Sequence, residues 1–183
     1  LEDRDIETIA GDLLNPEFVQ GLPDAKNVIY LVGTKFGTSG NEAYTWAMNA
    51  YLPGLIAERY RDSRIIALST GCVYSLVDVD SGGSKETDPP IPIGEYAQSC
   101  LGRERLFEYG SLTNETQVTL VRLNYAVEMR YGVLADIASK VYNSQPVDVS
   151  MGYVNVIWQG DANALVLRSF RLCSSPPRIM NLT

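Results

Sequence analysis

The chain has 183 residues, of which 45% are hydrophobic and 20% charged, as expected for one globular domain with a substantial core. Its net charge of −7 disfavours nucleic acid or an anionic membrane as the main partner, since both require clustered Lys and Arg. It has no histidine, and its 3 cysteines are far apart without a CxxC pair. A metal site, a disulfide framework and a histidine-activated nucleophile are therefore disfavoured, and a reducing, cytoplasmic compartment is expected. No apolar run approaches the ~20 residues of a membrane span.

The first elements read as strand, helix, strand, helix. "IETIAGD" (6–12) predicts a strand, followed by a short helix that starts at the Asn-Pro pair of 15–16. "NVIYLVG" (27–33) is uninterrupted and β-branched, which predicts a strand covered on both faces. Residues 41–60 have helical apolar spacing, and Pro53 indicates a kink or a late start.

The middle of the chain repeats this alternation. "RIIALST" (64–70) and "QVTLVRL" (117–123) predict two more buried strands. Between them lie a Pro/Gly/Ser-rich loop (80–94) and a helix from Tyr96 to about Tyr109. Alternating strands and helices predict an α/β fold, a doubly wound parallel sheet with helices on its faces.

After Arg122 the pattern changes. A helix is predicted at 131–143, a strand at 152–158, and a helix at 161–170 with Asp161 as its cap. "PPRIMNLT" at the end of the chain predicts a further strand.

Four motifs suggest a family. They are "VIYLVGTKFG", "ALSTGCVY", "ETDPPIPIGEYAQSC" and "GRERLFE". In their order and separations the chain resembles the extended short-chain dehydrogenases/reductases, the NAD-dependent epimerase/dehydratase proteins, from about Ile6 to Asp161. The resemblance implies a Rossmann-like domain at 1–128, the start of a substrate-binding region at 129–183, and NAD or NADP as cofactor. It also implies a small-molecule substrate such as a nucleotide-sugar, and it allows a homodimer.

The resemblance assigns the cofactor site residue by residue. Asp12 would border the adenine, although a helix-capping role is nearly as probable from the residues alone. Gly33 would let the backbone approach a pyrophosphate or ribose. The full cofactor set is Asp12, Leu13, Leu31, Val32, Gly33, Lys35, Asn49, Tyr96, Cys100 and Asn124.

The resemblance also assigns the catalytic residues. Tyr96 would be the general acid/base, and the Thr70 hydroxyl would hydrogen-bond a substrate oxygen while the proton moves. Where the family often has Arg-x-x-Asn after the third strand, this chain has Arg122, Asn124 and Tyr125. Asn124 and Tyr125 are therefore both candidates for the substrate-facing position.

The chain departs from the family in two ways. Nothing like the Gly-rich strand-turn-helix precedes residue 6, so we expect the natural protein to have an N-terminal portion that this chain lacks. Accordingly, 6–12 should not pair with 27–33. The second departure is Cys100, which stands where the family has a lysine that holds ribose hydroxyls and places a cation near the tyrosine. A neutral thiol supplies neither effect.

Three functional readings remain open. The first is an NAD(P)-dependent epimerase, dehydratase or reductase, which the retained Thr70 and Tyr96 favour. The second is a catalytically impaired dinucleotide-binding or regulatory protein on the same fold, which Cys100 favours. The third is a scaffold whose tyrosine-rich surface binds protein.

Overall fold

A computed structural model describes residues 6–35 and 39–183. Its centre is a parallel sheet of four strands, β1 (Asn27–Tyr30), β2 (Arg64–Thr70), β3 (Gln117–Leu123) and β6 (Arg178–Leu182). The spatial order is β1-β2-β3-β6, and every neighbouring pair is parallel. The predicted α/β class and the parallel arrangement of the three apolar runs are thus confirmed.

The sheet is buried on both faces, which explains its uninterrupted apolar strands. Ile65 and Ala67 of β2 face one hydrophobic cluster, while Ile66 between them faces a second one. β3 repeats the alternation with Leu120 in the first cluster and Val121 in the second. Side chains of a strand alternate between faces, so only a strand covered on both sides lacks polar alternation.

Helices supply the cover. On the first face lie α1 (Pro16–Gln20), α3 (Leu52–Arg59) and the long α4 (Gly94–Asn114). On the second face lies α6 (Gln159–Arg168), through Ala162 and Val166. No helix within the described ranges combines the length and apolar character that crossing a membrane requires.

The helical stretch predicted at 41–60 is continuous but irregular. It consists of α2 (Glu42–Trp46), a π-helical segment (Ala47–Tyr51) and α3. Pro53 has no N–H to donate and its ring would crowd the carbonyl four residues earlier, so the regular α pattern fails just before it. The helix therefore accommodates Pro53 by a π-helical segment, rather than by the late start that was the other expectation.

A second, smaller sheet follows β3. β4 (Tyr125–Val127) pairs in parallel with β5 (Val156–Trp158), and α5 (Val133–Tyr142) lies between them in sequence. β4 was not predicted, and only the last three residues of the strand predicted at 152–158 are extended in a sheet. Strands of three residues are too short to carry a clear alternation pattern.

Three local predictions were wrong. Residues 6–12 are irregular and exposed, because no described segment pairs with them and a lone strand leaves its backbone groups without partners. As expected, they make no ladder with β1. β1 ends at Tyr30 rather than at 33. α6 begins at Gln159, so Asp161 lies in its first turn, where its charge suits the helix dipole, and does not cap it.

The predicted C-terminal strand is confirmed as β6. It pairs with β3, so residues 178–182 belong to the same sheet as the strands of the first 128 residues. The division of the chain at about residue 128 stays a prediction.

Glycines set the spacing between α4 and the helical stretch 42–59. A Cβ on Gly102 would lie 3.1 Å from the Cβ of Ala50 and 3.4 Å from the Trp46 ring. A Cβ on Gly110 would lie 3.1 Å from that of Ala57. Trp46 Nε1 also donates a 2.5 Å hydrogen bond to Glu95. The close approach explains why α4 tolerates Gly102 despite its helix-propensity cost of about 1 kcal/mol.

We expect Gly102→Leu to destabilise the protein by about 1–3 kcal/mol, because the added side chain must push the two helices apart. Urea denaturation measures the change. Gln98→Leu, at an exposed position of the same helix, is the control and should stay within about 0.5 kcal/mol of wild type. Equal effects of the two substitutions would contradict the tight interface.

Candidate active site

Thr70 and Tyr96 meet at the carboxyl end of β2. Thr70 is the last residue of β2 and is 9% exposed, and its Oγ1 accepts a 3.2 Å hydrogen bond from the backbone N–H of Cys72. Tyr96 lies half-buried in the first turn of α4 and shares side-chain hydrogen bonds with Thr70 and Cys100. The structure therefore brings the two predicted catalytic hydroxyls together.

Burial raises the pKa of Tyr96 well above its usual value of 10, and the neighbouring Cys100 raises it further. The hydrogen bond with Thr70 lowers it in part. The phenol is therefore fully protonated at neutral pH and is a proton donor in this environment.

Cys100 lies one turn beyond Tyr96 on the same helix face, as the spacing of four residues predicts. Its side chain is 1% exposed, and its Sγ is 3.9 Å from Nδ2 of Asn49. Burial raises the pKa of this thiol, although the Arg103 guanidinium opposes the change. Cys100 is thus neutral and supplies no charge to Tyr96.

Asn49 lies at the centre of the site, within the π-helical segment. Its Oδ1 accepts hydrogen bonds from the N–H of Thr34 and from Nη2 of Arg103, each at 2.9 Å. Its Nδ2 donates to the Thr34 carbonyl at 3.3 Å and to Ser99 Oγ at 3.0 Å. All of its polar capacity is used within the protein, so Asn49 fixes the irregular segment after β1.

Two glycines allow polar side chains to approach the backbone. A Cβ on Gly33 would collide with the guanidinium of Arg103, and a Cβ on Gly71 would collide with the amide of Asn124. Asn124 follows β3 and donates its backbone N–H to the carbonyl of Leu182 at 3.0 Å. The two glycines therefore make room for the side chains of Arg103 and Asn124 just beyond the ends of β1 and β2.

The other predicted cofactor residues lie on the β1 side of the sheet. Asp12 is exposed and accepts a 2.9 Å bond from the N–H of Leu14, while Asn15 caps α1. Leu13 and Val32 pack against the first cluster. Leu31 and Lys35 are exposed. The cofactor roles of these five residues stay predictions.

A buried ion pair joins α4 to β3 beneath this site. Arg122 Nη2 lies 2.6 Å from Oε2 of Glu104, and its Nε donates to Oε1 at 3.0 Å. The two side chains are 2% and 3% exposed. Ser69 of β2 also donates to Glu104, at 2.6 Å.

The network continues from Arg122 to β6. Its Nη1 donates to the Tyr74 hydroxyl at 2.5 Å, which in turn donates to Asn181 Oδ1 at 3.0 Å. Asn181 donates its backbone N–H to Glu86 at 2.8 Å and its Nδ2 to the Ser84 carbonyl at 3.1 Å. The loop between Thr70 and Tyr96 is thereby fastened to the edge of the sheet.

Solved structures provide the comparison. RMD from Pseudomonas aeruginosa, complexed with NADPH, superposes with a TM-score of 0.78 at 19% identity and covers 95% of this chain. MoeE5 in complex with UDP-glucose and NAD gives 0.81 at 17% identity over 95%. The UDP-N-acetylglucosamine 4-epimerase from Bacillus cereus gives 0.80 at 19% identity over 97%. No family model and no curated protein matches the sequence.

The chain has the fold of the extended short-chain dehydrogenases. The resemblance seen in the sequence motifs is thus confirmed at the level of the fold. The chain spans 66%, 62% and 64% of the length of these three solved structures, respectively. It therefore corresponds to about two-thirds of each of them.

Sequence reasoning missed the ion pair and the role of Asn49 as a hub. A usable signal existed for the first: Arg122 interrupts an apolar buried strand, and Glu104 lies on the sheet-facing side of α4. A buried charge needs a partner of opposite sign, which would have paired the two. Asn49 carried no such signal, because its four partners come from segments distant in sequence.

We expect Glu104→Gln to destabilise the protein by about 3–5 kcal/mol, because it leaves Arg122 buried without a counter-charge. Glu104→Met combined with Arg122→Met should be less destabilised than Glu104→Gln. Glu108→Gln, in the exposed pair with Arg105, is the control and should change stability by less than about 1 kcal/mol. Stability is measured by urea denaturation. Equal destabilisation by Glu104→Gln and Glu108→Gln would contradict the argument.

Alkaline titration tests the buried tyrosines. Burial raises the pKa of Tyr30 to about 12, and that of Tyr96 is also raised. Because the unfolded chain loses these protons first, stability should fall as the pH rises from about 10 towards 12, by up to about 1.36 kcal/mol per unit of pKa difference. Tyr30→Phe and Tyr96→Phe should each make this fall shallower, whereas Tyr142→Phe, 89% exposed, should not. Tyrosinate absorbance and stability are measured together.

Proposed function

We propose that this chain belongs to an NAD(P)-dependent enzyme that transfers hydride between a nicotinamide and a hydroxyl-bearing or carbonyl carbon of its substrate. The observation that carries the proposal is the hydrogen-bonded pair of Thr70 and Tyr96 at the carboxyl end of β2. In open parallel sheets, ligands bind at the carboxyl ends of the strands.

The residues present suit a dinucleotide. Gly33 is exposed, so its backbone is accessible to a ligand, and its missing Cβ makes room for the guanidinium of Arg103. The buried guanidinium of Arg103 lies directly beneath it. Gly33 and its neighbours Leu31, Val32 and Thr34 would hold the nicotinamide half, which supplies the hydride acceptor or donor when bound. Asn49 would act indirectly, by fixing Thr34.

Tyr96 would handle the proton. Its Oη carries the proton at neutral pH and would donate it to a carbonyl oxygen as that oxygen becomes a hydroxyl. Thr70 would orient the same substrate oxygen by donating its hydroxyl hydrogen to it while Tyr96 transfers the proton. In the reverse direction the tyrosinate would take the proton back from the substrate hydroxyl. Tyr96 is ionised on one side of the reaction in either direction, and its raised pKa opposes that state.

A nucleotide-sugar is the substrate class we favour. MoeE5 binds UDP-glucose, and the Bacillus cereus protein is a UDP-N-acetylglucosamine 4-epimerase. Both share the fold of this chain, and we extend their substrate class to it as a proposal. The described cysteines are free, which suits a reducing compartment such as the cytoplasm, and we keep a homodimer as one possible assembly.

One observation favours a second function, a dinucleotide-binding or regulatory protein without turnover. Cys100 is neutral, buried and bonded to Tyr96, and it raises the pKa of the tyrosine. Positioned acid/base catalysis contributes about 10²–10⁴-fold, and this contribution depends on the ionisation that Cys100 disfavours.

Binding and turnover separate the two functions. In the full-length protein, we expect wild type to bind NAD or NADP by calorimetry and to transfer hydride with nucleotide-sugars. Tyr96→Phe should keep binding but lose turnover by about 10²-fold or more. Cys100→Lys should tighten cofactor binding and raise turnover, because the ammonium lowers the pKa of Tyr96. It should also lower the melting temperature, since position 100 is 1% exposed.

Gln98→Lys is the control, since Gln98 is exposed on α4 and lies two residues from Tyr96, off the Tyr96 face of the helix. Binding without turnover by wild type would establish the regulatory alternative. An absence of nucleotide binding by folded wild type would refute both functions.

A further inference from the structure

In the part of the chain that the structure describes, Arg103 is a buried cation without a counter-charge. It is 7% exposed, and its Nη1 and Nη2 donate to the Leu68 carbonyl at 2.7 Å and to Asn49 Oδ1 at 2.9 Å. Within the described residues its Nε has no hydrogen-bond partner, and it forms no ion pair with a carboxylate. Arg122, by contrast, is also buried and is paired with Glu104. An unpaired buried charge is costly, so its environment calls for an anion.

The position of Arg103 shows where that anion would lie. The guanidinium occupies the space beneath Gly33, whose outer face is exposed. It lies two helical turns from Tyr96, on the same side of α4. Asn49 contacts both Arg103 and Cys100, so the cation belongs to the same cluster as the candidate catalytic residues.

The contacts of Arg103 that the structure describes leave its charge uncompensated: a cation–π contact with Tyr30, 5.7 Å from the ring centroid, is attractive but supplies no negative charge. Both acceptors of Arg103, a carbonyl and an amide oxygen, are neutral, and a neutral donor such as Gln could satisfy one of them. What distinguishes arginine here is its full positive charge in a place shielded from water, where electrostatic attraction acts with little screening.

We propose that Arg103 supplies the positive charge for the nicotinamide ribose-phosphate half of the dinucleotide, from beneath Gly33, in place of a cation at position 100. This inference rests on the proposed function. The adenine half would be unaffected, because the predicted adenine residue Asp12 is bonded neither to Arg103 nor to its partners among the described residues.

Substitutions at position 103 in the full-length protein test the charge. Arg103→Gln removes the charge but keeps a donor, Arg103→Met removes both, and Arg103→Lys keeps the charge. Arg105→Met is the control, since Arg105 lies exposed on the same helix. Binding of NAD, nicotinamide mononucleotide and AMP is measured by calorimetry, with displacement for weak ligands, at low and high salt. Thermal melts are recorded alongside.

We expect Arg103→Gln and Arg103→Met to weaken the binding of NAD and of nicotinamide mononucleotide by roughly tenfold or more, because each loses a charge-assisted contact. AMP binding should change less than about twofold. Arg103→Lys should retain most of the affinity, and Arg105→Met all of it. The loss should be similar at low and at high salt, because a charge shielded from water is screened little. Rescue by Arg103→Lys with unchanged AMP binding is the pattern that a merely structural role would not produce.

Two results would overturn the inference. One is nicotinamide mononucleotide binding by Arg103→Gln at wild-type affinity. The other is an equal loss of AMP binding, which would indicate collapse of the whole site. If Arg103→Met fails to fold, the comparison of the Gln and Lys variants decides. Wild type that binds no nucleotide would refute the proposed function as well, whereas wild type that binds while the variants are unaffected refutes this inference alone.

Discussion

The buried pair of Glu104 and Arg122 is the interaction on which the rest of the site depends. It fixes α4 to the middle of the sheet, and its hydrogen bonds extend to Ser69 on one side and Tyr74 on the other. Tyr96 is on the same helix, two turns earlier, so its position over Thr70 follows from this attachment. Because two desolvated charges tolerate little displacement, the pair defines one relative position of helix and strands.

The strands could be predicted wherever burial on both faces left an uninterrupted apolar run. β2 and β3 begin and end at the predicted residues for this reason. β1 ends earlier than predicted because "LVG" remains apolar after the ladder with β2 has ended. The short β4 and β5 depend on each other across about thirty residues of sequence, a dependence that local patterns do not contain.

The chemical groups of the site could be predicted from the sequence, but the hydrogen-bond network that connects them could not. The hydroxyls of Thr70 and Tyr96 follow from motif order, and the neutral Cys100 can be read from the sequence. The bonds of Asn49 with Thr34, Ser99 and Arg103 bring together three segments whose meeting depends on the π-helical turn. The site therefore has a neutral thiol beside the tyrosine and a cation beneath the loop. The positive charge is thus spatially separated from the hydroxyl that would transfer the proton.

The π-helical segment has a consequence for how this helix could vary. A π turn accommodates one extra residue. The helix before the turn is therefore rotated about its axis by about 100° relative to the helix after it. Trp46 can therefore reach Glu95 while Leu52 and Ile56 still face the core. Loss of one residue between 47 and 51 would restore a regular helix and break this phase relation. One half would then turn its apolar face towards water, so the length of this segment is constrained as tightly as its composition.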